Sequence, residues 1–183
     1  MKRISVHLVV IAALWVLVPA VRSQRHADLA PAEVEQLRDS MMEPDTRLKL
    51  YVKFAKARID AVEQVRTDPK ISAAERPSRT HDKLQEFLDI YDELNDNVDM
   101  YVDRKDDIRK PLKAIIEADA EFQTKLKAFQ DSLMASKEDT KEYEFVLRNT
   151  VDTLNDSADD HRKLLIEQEQ AAKNRKKHKD ERR

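Results

Sequence analysis

His161 and Asp119 are the two residues of this chain whose chemistry would be costly to leave unanswered. His161 stands on an apolar stripe beside Asp159 and Asp160, and Asp119 interrupts a stripe that is otherwise apolar. An imidazole in such a place serves as a metal ligand, as a pH sensor, or as an edge-of-core residue with a local hydrogen bond. A metal would need further donors converging from facing helices. Di-iron carboxylate bundles use Glu-x-x-His on two helices. Here the residues three before His81, His161 and His178 are Ser78, Ala158 and Arg175. That motif is absent, and the edge-of-core reading is preferred. Asp119 either faces a polar neighbour such as His161, fixing helix register at some cost in stability, or sits where the stripe has drifted into solvent. The second is the simpler expectation. General acid–base work needs a shaped pocket and a second group, and narrow helical seams leave little room for one. No catalytic, cofactor-binding or metal-binding residue is expected.

Two charged stretches are candidate contact surfaces. Between Leu84 and Asp103 there is no lysine or arginine, while Glu86, Asp89, Asp92, Glu93, Asp96, Asp99 and Asp103 recur about a turn apart. Like charges at that spacing cost a few tenths of a kcal/mol each. The ordinary reading is a solvated face. The sharper one is a docking surface, formed by Glu86, Asp89, Glu93, Asp96 and Asp103, for a cationic partner or for the chain's own basic tail. The spacing does not match a twelve-residue calcium loop, and no glycine is available for its turn. The tail carries Lys173, Arg175, Lys176, Lys177, Lys179, Arg182 and Arg183 against Asp180 and Glu181. It is expected to fray after Ala172. It suits an anionic envelope surface. Nucleic acid is not expected, because no aromatic interleaves the charges to stack on bases.

The elements that position these groups follow from one pattern. Leu84, Phe87, Tyr91, Leu94, Val98, Tyr101, Ile108, Leu112, Ile115, Phe122, Leu126, Phe129 and Leu133 recur at alternating steps of three and four, interrupted only by Lys105 and Asp119. A mean step of 3.5 keeps one apolar line facing a partner helix. The predicted fold is therefore all-α: an up-and-down bundle of about four long antiparallel helices plus a short N-terminal helix, with coiled-coil-like packing.

Gln24 to Ala30 reads as a flexible lead-in. Pro31 begins a short helix with Val34, Leu37 and Met41 on one line. A second helix, Asp45 to Thr67, has Leu48, Val52, Ala55, Ile59 and Val62 as its seam. Leu50, Phe54, Ala57 and Ala61 form a second line, so this helix touches two neighbours. Ser72 and Glu75 suit a capping box, and Thr80 is the expected N-cap of the third helix. Pro111 clashes with a helix interior, which favours a turn at Asp106 to Lys110 over one kinked rod. The fourth helix runs to about Ala135. Ser136 with Asp139 signals the start of the last, whose seam is Leu147, Val151, Leu154, Ala158, His161 and Leu165. Met41, Met42 and Met134 read as gap fillers near helix ends.

Composition narrows the function. Glycine is absent against a usual share of about 7%, which removes phosphate-cradling glycine loops, dinucleotide fingerprints and glycine nucleophile elbows. Cysteine is absent too, so disulfides, thiolate nucleophiles, zinc–cysteine sites and iron–sulfur clusters are excluded. Charged residues make up 38% of the chain with a net charge of −2. Met1 to Ser23 reads as a signal peptide: Lys2 and Arg3, then an apolar run from Leu8 to Val18, then Val21 and Ser23 at the cleavage positions. An uncleaved anchor is the rival, but the run is short for a span. Loss of Lys2, Arg3 and Arg22 takes the net charge from −2 to −5. The expected domains are the signal (1–23), a bundle (24–172) and a basic tail (173–183). The expected protein is exported, periplasmic or extracellular, and non-enzymatic, acting by contact with a protein or an anionic envelope surface as scaffold, adaptor or holdase-like binder. The alternatives are a metal-binding or pH-sensing bundle built on His161, and a structural coiled coil that pairs with a second copy of itself. No cofactor is expected.

Overall fold

The computed structural model describes residues 27–180, with side chains as far as Lys177. Five helices account for most of it: α1 (Pro31–Asp39), α2 (Pro44–Thr67), α3 (Arg76–Asp103), α4 (Arg109–Ser136) and α5 (Glu144–Asp180), with no strand among the described residues. The expected signal peptide and the start at Gln24 lie outside the described residues. No described helix is long and apolar enough to cross a membrane.

Proline sets most helix starts. Pro31 and Pro44 open α1 and α2, Pro77 is the second residue of α3 and Pro111 the third of α4. A first-turn proline loses no helical hydrogen bond, because its N–H would be an orphan there anyway. The expected turn before Pro111 is present, and the kinked rod is not. The Ser72–Glu75 box forms reciprocally: Ser72 Oγ donates to Glu75 Oε2 at 2.8 Å and accepts the Glu75 N–H at 3.3 Å. Two cap expectations fail. Because the box and Pro77 already launch the chain, α3 starts at Arg76, and Thr80 is buried within it rather than capping it. Ser136 ends α4, its hydroxyl bonding back to the Leu133 carbonyl at 3.2 Å. α5 begins only at Glu144, after Asp139 has folded the chain by accepting the Lys141 N–H at 3.2 Å.

A chain without glycine must still close its helices. Lys105 and Lys137 take left-handed backbone geometry, with φ of 62° and 53°, the conformation glycine usually supplies. After α3, the Asp106 N–H reaches the Tyr101 carbonyl at 3.0 Å and the Lys105 N–H reaches that of Val102 at 2.8 Å, which is the Schellman closure. A lysine there has its charge near the negative end of the helix dipole.

The four long helices pack in the ring order α2–α3–α5–α4. α3 and α4 are consecutive but diagonal, and the loop from Arg104 to Ile108 crosses the bundle end. Their meeting point is the centre of the core, where Phe122 lies edge-on to Phe87 at 5.3 Å and to Tyr91 at 6.3 Å. α2 and α3 run antiparallel, with Arg47 Nε donating to Asn97 Oδ1 at 2.9 Å and Tyr51 Oη to Glu93 Oε2 at 3.4 Å. α4 and α5 do likewise, with Gln123 to Asn155 at 2.9 Å and Lys113 to Glu169 at 3.3 Å. α2 and α4 lie side by side in parallel: Asp45 pairs with Lys110, Lys56 with Glu121 and Asp60 with Lys125, each pair 65 residues apart in sequence.

Every residue of the predicted seam from Leu84 to Leu133 is buried. α1 departs from expectation. Leu37 is buried, but Val34 and Met41 are exposed, because a helix this short has only α2 to lean on. Arg58 of α2 clamps it, its two terminal nitrogens meeting Glu33 at 2.6 and 2.5 Å. The described part of the lead-in, 27–30, is not free: Ala27 is buried and Leu29 packs on the core. On α2, Val52 is only half-buried and Ala57 is exposed, while Tyr51 takes a core position. Beyond Ala172, α5 is helical to Asp180.

Leu94→Ala, at a fully buried position, is expected to cost about 2–5 kcal/mol in chemical denaturation; a loss below about 1 kcal/mol would place the seam on the wrong face. Lys105→Gly and Lys137→Gly are each expected to raise stability by about 0.5–1 kcal/mol, read as a higher denaturant midpoint at unchanged slope. A lower midpoint would show that lysine bears the left-handed geometry at no cost.

Candidate functional site

Asp119 falls in phase with the apolar seam of α4, so packing carries its carboxyl into the core. Burying an unanswered carboxylate would cost several kcal/mol. Both oxygens are answered: Tyr91 Oη of α3 donates to Oδ1 at 2.7 Å, and His161 Nδ1 of α5 lies 2.9 Å from Oδ2. Asp119 and Tyr91 are fully buried, and His161 is 4% exposed. The Tyr91 ring meets the His161 ring edge-on at 6.5 Å and stacks on Phe87 at 5.7 Å. Burial, and then the charge of Asp119, push the Tyr91 phenol far above its ordinary range, so it stays a donor at any physiological pH. Ser157 of α5 accepts Asn95 Nδ2 of α3 at 2.9 Å. Tyr91, Asp119 and His161 thus form one polar triad across α3, α4 and α5, and Asn95–Ser157 adds a second polar link between α3 and α5.

This places the two singled-out residues together. Asp119 does not drift into solvent, because the diagonal placement of α3 and α4 keeps the whole seam inside. The hydrogen bond of His161 is not local: Asp159 and Asp160 turn outward to Arg162 at 2.7 Å and Lys163 at 2.9 Å. Among the described residues no three His, Asp or Glu side chains are arranged to hold a metal ion. The apolar-lined hollows lie elsewhere. One of about 260 Å³ between α2 and α4 is lined by Ile59, Val62, Arg66, Leu126 and Phe129, and one of about 270 Å³ between α4 and α5 by Leu126, Val151 and Leu154.

The acidic candidates divide. Glu86 is half-buried and pairs with Lys83 at 2.6 Å. Asp89 accepts from Gln85 at 2.7 Å. Glu93 turns toward α2 and Tyr51 rather than away from the seam. Asp96 and Asp103 are exposed, in line with Asp92 and Asp99. Asp92 sits at the surface, yet packing around its carboxyl, then Asp89 and Asp96, raise its pKa to about 6. The basic candidates Lys173, Arg175, Lys176 and Lys177 are exposed on the last turns of α5, and Lys179 lies beyond the described side chains. Arg175 is held near Asp107 of the α3–α4 loop, beside a hollow of about 180 Å³ that Lys105 and Arg109 also line. The described part of the tail, as far as Lys177, therefore does not lie on the acidic strip.

Two features escape the sequence reading. Tyr51 was legible in principle, since it continues a three–four pattern from Leu48 to Ala55. The methionines were not: Met41, Met42 and Met134 are 57%, 81% and 71% exposed and fill no gaps. Each sits at a helix end where no further element arrives to cover it.

His161→Ala leaves one oxygen of a buried carboxylate unanswered and is expected to cost about 3–5 kcal/mol. Replacing both Asp119 and His161 by leucine should cost clearly less, as a double-mutant cycle in urea would register; additive losses would show that the two do not interact. The folded pKa of Asp92, about 6, lies above the ordinary 3.8, so its contribution is fully present below pH 4 and is lost as pH rises through 6. Asp92→Asn is then expected to stabilise at pH 7–8 by about 1 kcal/mol, after discounting for exposure. The gain should vanish near pH 4; a gain independent of pH would refute the assignment. Compared with protein-family models, curated proteins and solved structures, the chain matches none.

Proposed function

We propose that this chain is an exported, non-enzymatic helical bundle that works by contact, as a scaffold, adaptor or holdase-like binder. The observation that carries the reading is the overrun of α5. Gln168 of that helix answers the Ile108 N–H at 3.1 Å and the Asp106 carbonyl at 3.2 Å, closing the bundle end. The helix then continues to Asp180, beyond the closed bundle end, with Lys173, Arg175, Lys176 and Lys177 exposed. The charge of that segment suits an anionic envelope surface. The polar groups that do converge, Tyr91, Asp119 and His161, face one another in the core. That supports an internal register lock over a reaction centre.

A pH-sensing role is the second reading, carried by the His161–Asp119 contact in a buried site. The test of the lead reading is capture of envelope components by the exported chain with and without Lys173–Arg183. Deletion should leave helicity almost unchanged and abolish most of the capture. Undiminished capture would remove the basic end from the function.

A further inference from the structure

We infer that the bundle end holding the α1–α2 corner and the α5 overrun docks, tilted and end-on, against an anionic phospholipid bilayer, with Met41 and Met42 entering its interface. This rests on the contact reading above and gives it a partner and an orientation.

The corner and the overrun belong to the same end. Lys110 in the first turn of α4 holds Asp45 at 2.8 Å, three residues after Met42. The neighbouring Ile108 holds Gln168 of α5. From Gln168 to Asp180, α5 extends roughly 18 Å. The overrun reaches further out than the corner, so the bundle axis must tilt for both to touch one surface. Of the acids at this end, Asp106 pairs with Arg104 at 3.3 Å and Asp107 with Arg109 at 2.6 Å, while Asp103 at the end of α3 is exposed. Asp39 and Glu43 flank the methionines and weaken the attraction without cancelling it.

Flat binding is disfavoured. The chain has a net charge of −2, and the outer strip of α3 exposes Asp92, Asp96, Asp99 and Asp103. An anionic surface repels that flank and attracts the basic end. The overrun has no apolar residue beyond Ala172, so it has no apolar face to embed. Stable attachment generally takes two signals, one electrostatic and one apolar. Met41 and Met42, at 57% and 81% exposure, are flexible apolar side chains suited to the second role.

Because the chain has no cysteine, a single introduced one can be labelled cleanly. The exported protein bearing Met42→Cys or Met134→Cys, each with an environment-sensitive NBD dye, is mixed with vesicles of phosphatidylcholine alone or with phosphatidylglycerol. Binding is read by co-sedimentation. Expected is binding to the anionic vesicles only, with a blue shift and severalfold brightening at position 42 and no change at position 134, which lies at the opposite end. Met41→Asp with Met42→Asp should weaken binding at least fivefold at unchanged helicity. Binding with a silent probe at position 42, or equal responses at both positions, overturns the inference; if that binding still needs Lys173–Arg183, the contact reading stands. Binding to neither vesicle type also overturns it. Tail-dependent envelope capture would then assign the basic end to a protein or polysaccharide.

Discussion

A carboxylate inside an apolar core is tolerable only if both of its oxygens are met, and the two partners of Asp119 arrive from two different helices. Tyr91 on α3 and His161 on α5 can meet it together only when α4 stands diagonal to α3 and antiparallel to α5. A slip of either neighbour by one turn would strand the charge and cost several kcal/mol. A uniform seam of leucine, phenylalanine and isoleucine would tolerate such a slip far better. The Tyr91–Asp119–His161 triad, with the Asn95–Ser157 pair beside it, therefore selects one register among several that hydrophobic packing alone would allow.

The outer pairs repeat the same register from the surface. Three ion pairs join the parallel helices α2 and α4 at one constant sequence offset. Exposed pairs of this kind contribute little individually, but a fixed offset discriminates against shifted alignments in which like charges meet. Core and rim thus specify one alignment by different physics: satisfied burial inside and charge matching outside. α1, too short to bury a stripe of its own, is held by the Arg58–Glu33 clamp and by Leu37.

With its alignment fixed internally, the molecule has its remaining chemistry on its surface. The exposed acids of α3 lie along one flank, the cations of α5 extend past one end, and the uncovered methionines stand at helix termini. That distribution is lopsided along the bundle axis, which makes one end electrostatically different from the flank. Such asymmetry favours oriented contact over adhesion on any side.

Much of this was legible before any coordinates. The all-α class, the break before Pro111, the Ser72–Glu75 box and every buried residue of the Leu84–Leu133 seam follow from periodicity and from the local conformational limits of proline and of a chain without glycine. These are short-range properties, fixed by neighbours within a turn or two. Only the tertiary structure decided that α3 and α4 sit diagonally, that Asp119 faces His161 instead of water, that Glu93 turns to α2, and that Met41, Met42 and Met134 are bare. Each depends on which element arrives on the far side of a residue. A one-dimensional pattern records that a face is apolar or polar, but the partner that covers it is chosen by the three-dimensional arrangement of all the helices at once.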